Sequence, residues 1–220
     1  MHFEVLVEDQ SGKKALEIII PKIIGTKDSF RIHSYKGIGH IPKNLMGNPA
    51  GRLLLDRLPK LLRAYGVTFS KYPEDYPATV VVVCDLDNRC KKRFLEEMYE
   101  VLDSCDPKPQ ACFCLAIEEG EAWFLGDMPA IKQAYPKAKD TVLNGYVNDS
   151  ICGTWELLAD AVFPGGHAAL VAKGWRAVGT EKSIWAEEIG PNMKIDSNKS
   201  PSFSHFRNQL VRLAGIPPRK

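Results

Sequence analysis

The stretch that most constrains this chain is "TVVVVC", Thr79 to Cys84, which runs without a break into "DLDNRCKKR". Four consecutive valines fit a strand buried on both faces, as in the middle of a parallel sheet. A β-strand alternates its side chains, so residues two apart point the same way. That spacing predicts that Asp85 and Asp87 face one side while Leu86 turns back to the core. Carboxylates at the end of a buried strand need a reason, and the rest of the chain supplies more of them.

Strand and helix patterns alternate through the first half. Residues 3–7 read as a strand. Residues 11–24 read as a helix, with Leu16, Ile19, Ile20, Ile23 and Ile24 on one face and Gly25 as its stop. Pro21 within it predicts a kink or an early end. A second strand is expected over 30–35, then a loop over 36–51 whose glycines are too irregular for a phosphate-binding fingerprint. A helix follows over 52–65 and ends at Gly66. Phe94, Leu95, Met98, Val101 and Leu102 mark the next helix. Residues 111–117, "ACFCLAI", form a fourth strand that also runs into acids, "EEGEAWFLGD". The order predicts an α/β fold with a parallel sheet flanked by helices. From about Met128 no further strand is legible. Helices are expected over 155–163 and 182–189, and another after Ser200 and Pro201, an N-cap and a first-turn proline. We therefore expect a core over 1–127 and a mostly helical C-terminal extension, 128–220, packed on it.

In 220 residues, 29 Lys and Arg face 27 Asp and Glu, a formal net charge of +2. Bulk charge excludes a strongly basic nucleic-acid footprint but not a local one. The six cysteines form no CxxC pair and have no histidine at zinc spacing, so buried reduced thiols are expected. The start, "MHFEVLVEDQ", lacks a signal-peptide pattern, and no apolar run reaches membrane-helix length. The expected location is the cytoplasm. All four tryptophans lie at or beyond the fourth strand and are expected to be core or interface anchors rather than base-stacking platforms.

Three of the four strands end in acids: Glu8 and Asp9, Asp85 and Asp87, and Glu118, Glu119 and Glu121. In an open parallel sheet these ends share one edge, where ligands bind. Carboxylates gathered there raise one another's pKa or require a cation, and a hard divalent ion with oxygen ligands, Mg2+ or Mn2+, fits. Of Glu118, Glu119 and Glu121, at least one is expected to face solvent or to serve as a helix N-terminal charge. The basic run Arg89, Lys91, Lys92 and Arg93 fits either contacts to nucleic-acid phosphates or a solvated first helical turn.

This pattern resembles the Toprim domain of topoisomerases, primases and overcoming-lysogenization-defect nucleases. The carrying segments are "VLVEDQSGKKAL", "VVVCDLDNR", "LAIEEGEAWFLGD", "TWELLAD" and "SPSFSHFRNQL". More closely, the chain looks like small bacterial Toprim-like proteins of the domain-of-unknown-function family 4276. The resemblance implies a Rossmann-like Toprim fold and metal-dependent phosphodiester hydrolysis. It implies Glu8, Asp85 and Asp87 as metal ligands and catalytic residues, with Glu121 next, ahead of Glu119. It also implies a nucleic-acid substrate, DNA before RNA, and an ATPase partner in an anti-phage or mobile-element system. Asp9 departs from the pattern by standing where the nuclease branch has glycine. Lys36, Lys182 and Lys199 are open candidates for a transition-state lysine. Two readings compete: a haloacid-dehalogenase-type phosphatase with Asp85 as nucleophile, and a non-catalytic scaffold of an ATPase complex. A nucleotide-sugar transferase is a weaker rival, because it needs a larger acceptor domain.

Overall fold

The computed structural model describes residues 1–47 and 51–217, so part of the loop expected over 36–51 lies outside the described residues. Four strands, β1 (His2–Val7), β2 (Ser29–Ser34), β3 (Ala78–Asp85) and β4 (Ala111–Ala116), form one parallel sheet in the order β2-β1-β3-β4. Between them run α1 (Gln10–Ile24), α2 (Leu54–Phe69) and α3 (Lys91–Asp103). The chain is α/β and its layered arrangement is Rossmann-like. The order reverses between β1 and β3, so the topological switch point lies at their carboxyl ends.

Alternation along the strands divides the core into two layers. Val81 and Val83 of β3 join Phe3, Val5 and Val7 of β1 on the face covered by α1. Val80, Val82 and Cys84 face the other way, against leucines of α2 and Phe94, Met98 and Val101 of α3. Both faces of β3 are covered, which is why its valines can run consecutively.

The C-terminal half completes the first layer. Short helices α4 (Glu121–Leu125), α5 (Met128–Ala134), α6 (Asp140–Leu143), α7 (Thr154–Val162) and α8 (Gly166–Val171) lead to α9 (Trp175–Ile189) and α10 (Pro201–Leu213). Residues 128–220 supply no strand among those described, as expected, and they share one apolar core with α1 and β1. Trp123 stacks on Phe206 with ring centroids 4.9 Å apart, and its indole donates to Ser202 Oγ at 3.0 Å. The Ser200 hydroxyl accepts from Phe203 N, the cap its sequence predicts.

Beyond the apolar core that Trp185, Ala186 and Ile189 share with α1, two polar contacts join α9 to α1. Lys22 Nζ donates to the carbonyls of Gly190 at 3.0 Å and Met193 at 2.9 Å. This is a cation at the carboxyl end of α9, where the helix dipole favours it. Lys14 pairs with Glu187 at 2.8 Å. Together they hold α9 along α1, so that residue 182 lies over the carboxyl edge of the sheet.

Several expectations need correction. Pro21 does not end α1, since it sits in the last turn and Gly25, at φ 74°, does. Helix α2 runs through Gly66 to Phe69. A Cβ there would come 1.9 Å from the Pro107 carbonyl oxygen, so Gly66 is a packing glycine rather than a stop. Helix α9 begins at Trp175, seven residues before the expected start at 182. Trp123, Trp155 and Trp185 are buried, but Trp175 is 73% exposed. All six cysteines are free, and Cys90 and Cys152 are exposed rather than buried.

Candidate acidic site

The site is built where β1 and β3 end side by side. Val7 pairs with Val83, so Glu8 and Asp85 leave adjacent strands at nearly the same level. Glu8 Oε2 accepts from the Asp85 amide at 3.3 Å. The next residue, Asp9, turns away and caps α1, accepting from Gly12 N at 2.7 Å and Ser11 Oγ at 2.8 Å. Its departure from the Toprim pattern therefore has a local role in starting a helix. A Cβ on Gly12 would sit 2.7 Å from Val7 Cγ2, so the first turn of α1 closes onto β1 only with glycine there.

A cavity of about 50 Å3 opens at this point, lined by Glu8, Asp85, Gly12, Glu121 and Lys182 among others. That is room for a few waters or one partly hydrated ion. Burial raises the Glu8 carboxyl to about 7, and the Asp9 and Asp87 charges add to the effect against the Asp85 amide and Lys182. Burial also drives Asp85 well above the usual carboxylate range, with Glu8 the next cause and Lys182 opposing. Neither carboxylate has a contacting cation among the described residues.

The segment after β4 brings the remaining acids. Glu119 and Glu121 both reach Lys182 Nζ, at 3.2 and 3.1 Å. Burial raises Glu119 to about 7 despite that contact. For Lys182, burial works downward, but the charges of Glu121, Glu119 and Asp85 overcome it and hold the ammonium well above the usual lysine range. Glu121 is 5% exposed, so the pair is buried and its geometry matters.

Asp87 does not behave as an extended strand predicts. The strand stops at Asp85, and Asp87 adopts φ 49°, a left-handed conformation. Its carboxylate pairs with Arg89 at 3.1 Å and is half exposed. The expected turn of Leu86 into the core is correct, since it is buried. The Asp87 amide donates to the carbonyl of Glu118, which is also left-handed at φ 62°. Adjacent strand ends thus carry two strained residues bonded to each other, the kind of backbone that collects at functional sites.

Glu118 leaves the cleft. It accepts from Cys152 N at 3.1 Å, Gly153 N at 2.9 Å and Thr154 N at 2.9 Å, satisfying the free amides that open α7. Burial works upward on its carboxyl, but the three amides outweigh it and hold Glu118 below the ordinary range. It is the helix N-terminal charge expected of one of the three acids, applied to a helix far along the chain.

Of the sequence-predicted residues, the fold gathers Glu8, Asp85, Glu119 and Glu121, and adds Lys182. Asp87 stands at the rim with Arg89, whose guanidinium also lies 5.0 Å from the centre of the Phe94 ring. Lys91, Lys92 and Arg93 are exposed on the first turn of α3. Lys199 lies instead in a separate pocket with Asp127 and Lys194. Among the described residues, no three Asp, Glu, His or Cys side chains are grouped as ligands of one ion. The four-carboxylate shell expected from sequence is therefore not preassembled, because Lys182 holds Glu119 and Glu121 and Arg89 holds Asp87. What remains is a pair, Glu8 and Asp85. Two hard oxygen donors on a small cavity could hold one divalent cation of the Mg2+ kind, which keeps most of its waters. They do not suit an all-protein cage. Comparison of the chain with protein-family models, curated proteins and solved structures returned no match.

Proposed function

We propose that this protein is a divalent-metal-dependent nuclease of the Toprim type. The observation that supports it is the meeting of Glu8 and Asp85 at the switch point of a parallel sheet, both raised by burial and neither neutralised by contact. Such a pair stores electrostatic cost that a bound Mg2+ or Mn2+ relieves. When bound, the ion would neutralise charge developing on a phosphodiester and orient an attacking water. Glu8 and Asp85 would hold it, while Asp87 stands at the rim, paired with Arg89 through one carboxylate oxygen. Lys182, kept protonated by Glu121, Glu119 and Asp85, brings a fixed positive charge to the same cleft. It would stabilise a phosphoryl oxygen there, and of the three lysines left open by the sequence it is the one lining the acid cavity. An ATPase partner and a role in anti-phage or mobile-element systems rest on the sequence resemblance alone.

A second reading has one observation in its favour. The Lys182 ammonium already serves as counter-ion to Glu119 and Glu121, as in a metal-free scaffold subunit. The two readings separate in one assay. Wild-type protein is incubated with plasmid DNA, single-stranded DNA and RNA, with Mg2+, Mn2+ or EDTA, alone and with an ATPase encoded beside it. Nuclease function predicts cleavage with the metals and none in EDTA. Absence of cleavage on all three substrates, with the partner present, would leave the scaffold reading.

A further inference from the structure

A second charged feature lies beside the acid cleft. A groove at the carboxyl end of β2 is lined by Lys13, Lys36, Arg52 and Arg57, with His33 and Tyr35. Among the described residues, no carboxylate lines it. Among the described residues Lys36, Arg52 and Arg57 have no ion pair, and Lys13 reaches only Glu17, at 3.7 Å. The formal net charge of the whole chain is only +2, so four cations around one groove are a local concentration. Like charges held together without a counter-charge favour an anion.

The backbone holds this arrangement in place. Lys36 N donates to the Arg52 carbonyl at 3.0 Å, and Leu54 N to the Gly37 carbonyl at 3.0 Å, clipping the exit of β2 to the entry of α2. The Arg57 guanidinium carbon lies 5.7 Å from the centre of the Tyr35 ring. The groove also adjoins the acids. Gly37 N donates to the Glu8 carbonyl at 2.8 Å. Lys13 directly follows Ser11 and Gly12, which line the cavity containing Glu8 and Asp85.

We infer that this groove binds the phosphate backbone of a nucleic-acid strand and guides it to Glu8 and Asp85. The inference rests on the nuclease reading for the fate of the strand, but not for its binding. Two arginines suit phosphate geometry through paired N–H donors. The four cations come from α1, the exit of β2, the segment before α2 and α2 itself, more positive charge than a single phosphate needs. The run at 89–93 is less suited, since Arg89 is engaged by Asp87 and Phe94, and the other three point from an exposed turn.

The test measures binding of a fluorescein-labelled single strand of about 20 nucleotides by anisotropy, in EDTA so that no cleavage intervenes, over a range of salt. Lys36→Glu with Arg52→Glu, both exposed positions, is expected to weaken binding by at least about tenfold. It should also flatten the salt dependence by roughly 0.7 for each lost phosphate contact. Lys92→Glu with Arg93→Glu is expected to weaken it less. The inference is overturned if wild type does not bind, if the groove variant binds as wild type does, or if the 92/93 variant carries the larger loss. Displacement of the strand by low concentrations of ATP would likewise overturn it, assigning the groove to a mononucleotide. Should the groove variant lose binding while wild type cleaves nothing with any metal, the inference stands and the nuclease reading fails.

Discussion

Glu8→Gln and Asp85→Asn are each expected to reduce metal-dependent cleavage by at least about 10^3-fold while making the protein more stable at pH 8. Loss of a direct ligand should exceed the 10–100-fold typical of outer-shell changes. The gain in stability follows from linkage. Glu8 has its carboxyl raised to about 7 in the folded protein from an ordinary 4.5, chiefly by burial. Between those values the folded state holds the proton more tightly than the unfolded chain does, so stability falls as pH rises through this window. Glutamine keeps an oxygen to accept from the Asp85 amide but carries no charge. The variant and wild type should therefore match below about pH 4.5, diverge up to about pH 7, and stay apart above it. The gap should be about 2 kcal/mol, after allowing for solvent access to a half-buried group. Thermal unfolding in EDTA across this range checks the prediction, and a variant less stable than wild type at pH 8 would count against it.

Lys182→Met is expected to act in the opposite direction. It keeps the length of the side chain and removes the charge, leaving Glu119 and the buried Glu121 without their partner. Breaking a buried ion pair from one side costs about 3–5 kcal/mol. Urea unfolding at pH 8 should show a loss of that size. Adding Glu121→Gln should recover part of it, because the stranded charge is then gone. Cleavage should fall in both variants, while a Lys182→Arg protein keeps the charge and retains part of each property. Loss of cleavage without any loss of stability would place Lys182 outside the buried pair.

How far the sequence could foresee this site depends on the range of each interaction. The valine run predicted a central parallel strand because burial on both faces removes the need for alternation. The meeting of Glu8 with Asp85 followed from strand order alone. Asp87 did not follow, because a period of two holds only while the strand lasts, and the chain turns left-handed two residues beyond Asp85. One of Glu118, Glu119 and Glu121 was expected to face solvent or to serve as a helix charge, but not which, since the helix that Glu118 serves begins 36 residues later at Thr154, a distance no local pattern spans. Lys182 stood among three unassigned lysines, since its role depends on how α9 is pinned along α1 by Lys22 and Lys14. The basic groove escaped notice for the same reason. Its cations come from three separate segments, and none forms a run, whereas the run at 89–93 is conspicuous in sequence, with Arg89 tied to Asp87 and the other three exposed on the first turn of α3. Gly66 read as a helix stop because glycine so often is one. Here the close approach of the Pro107 carbonyl explains it.

The central claim is that Glu8 and Asp85 together hold one divalent cation, and Mn2+ binding followed by electron paramagnetic resonance at pH 8 tests it most directly. The account predicts one bound Mn2+ in wild type, its loss in Glu8→Gln and in Asp85→Asn, its retention in Glu118→Gln, and weakening as pH falls below about 7 and protons compete for Glu8. Binding that is absent from wild type, or that persists unchanged in both carboxamide variants, would contradict it.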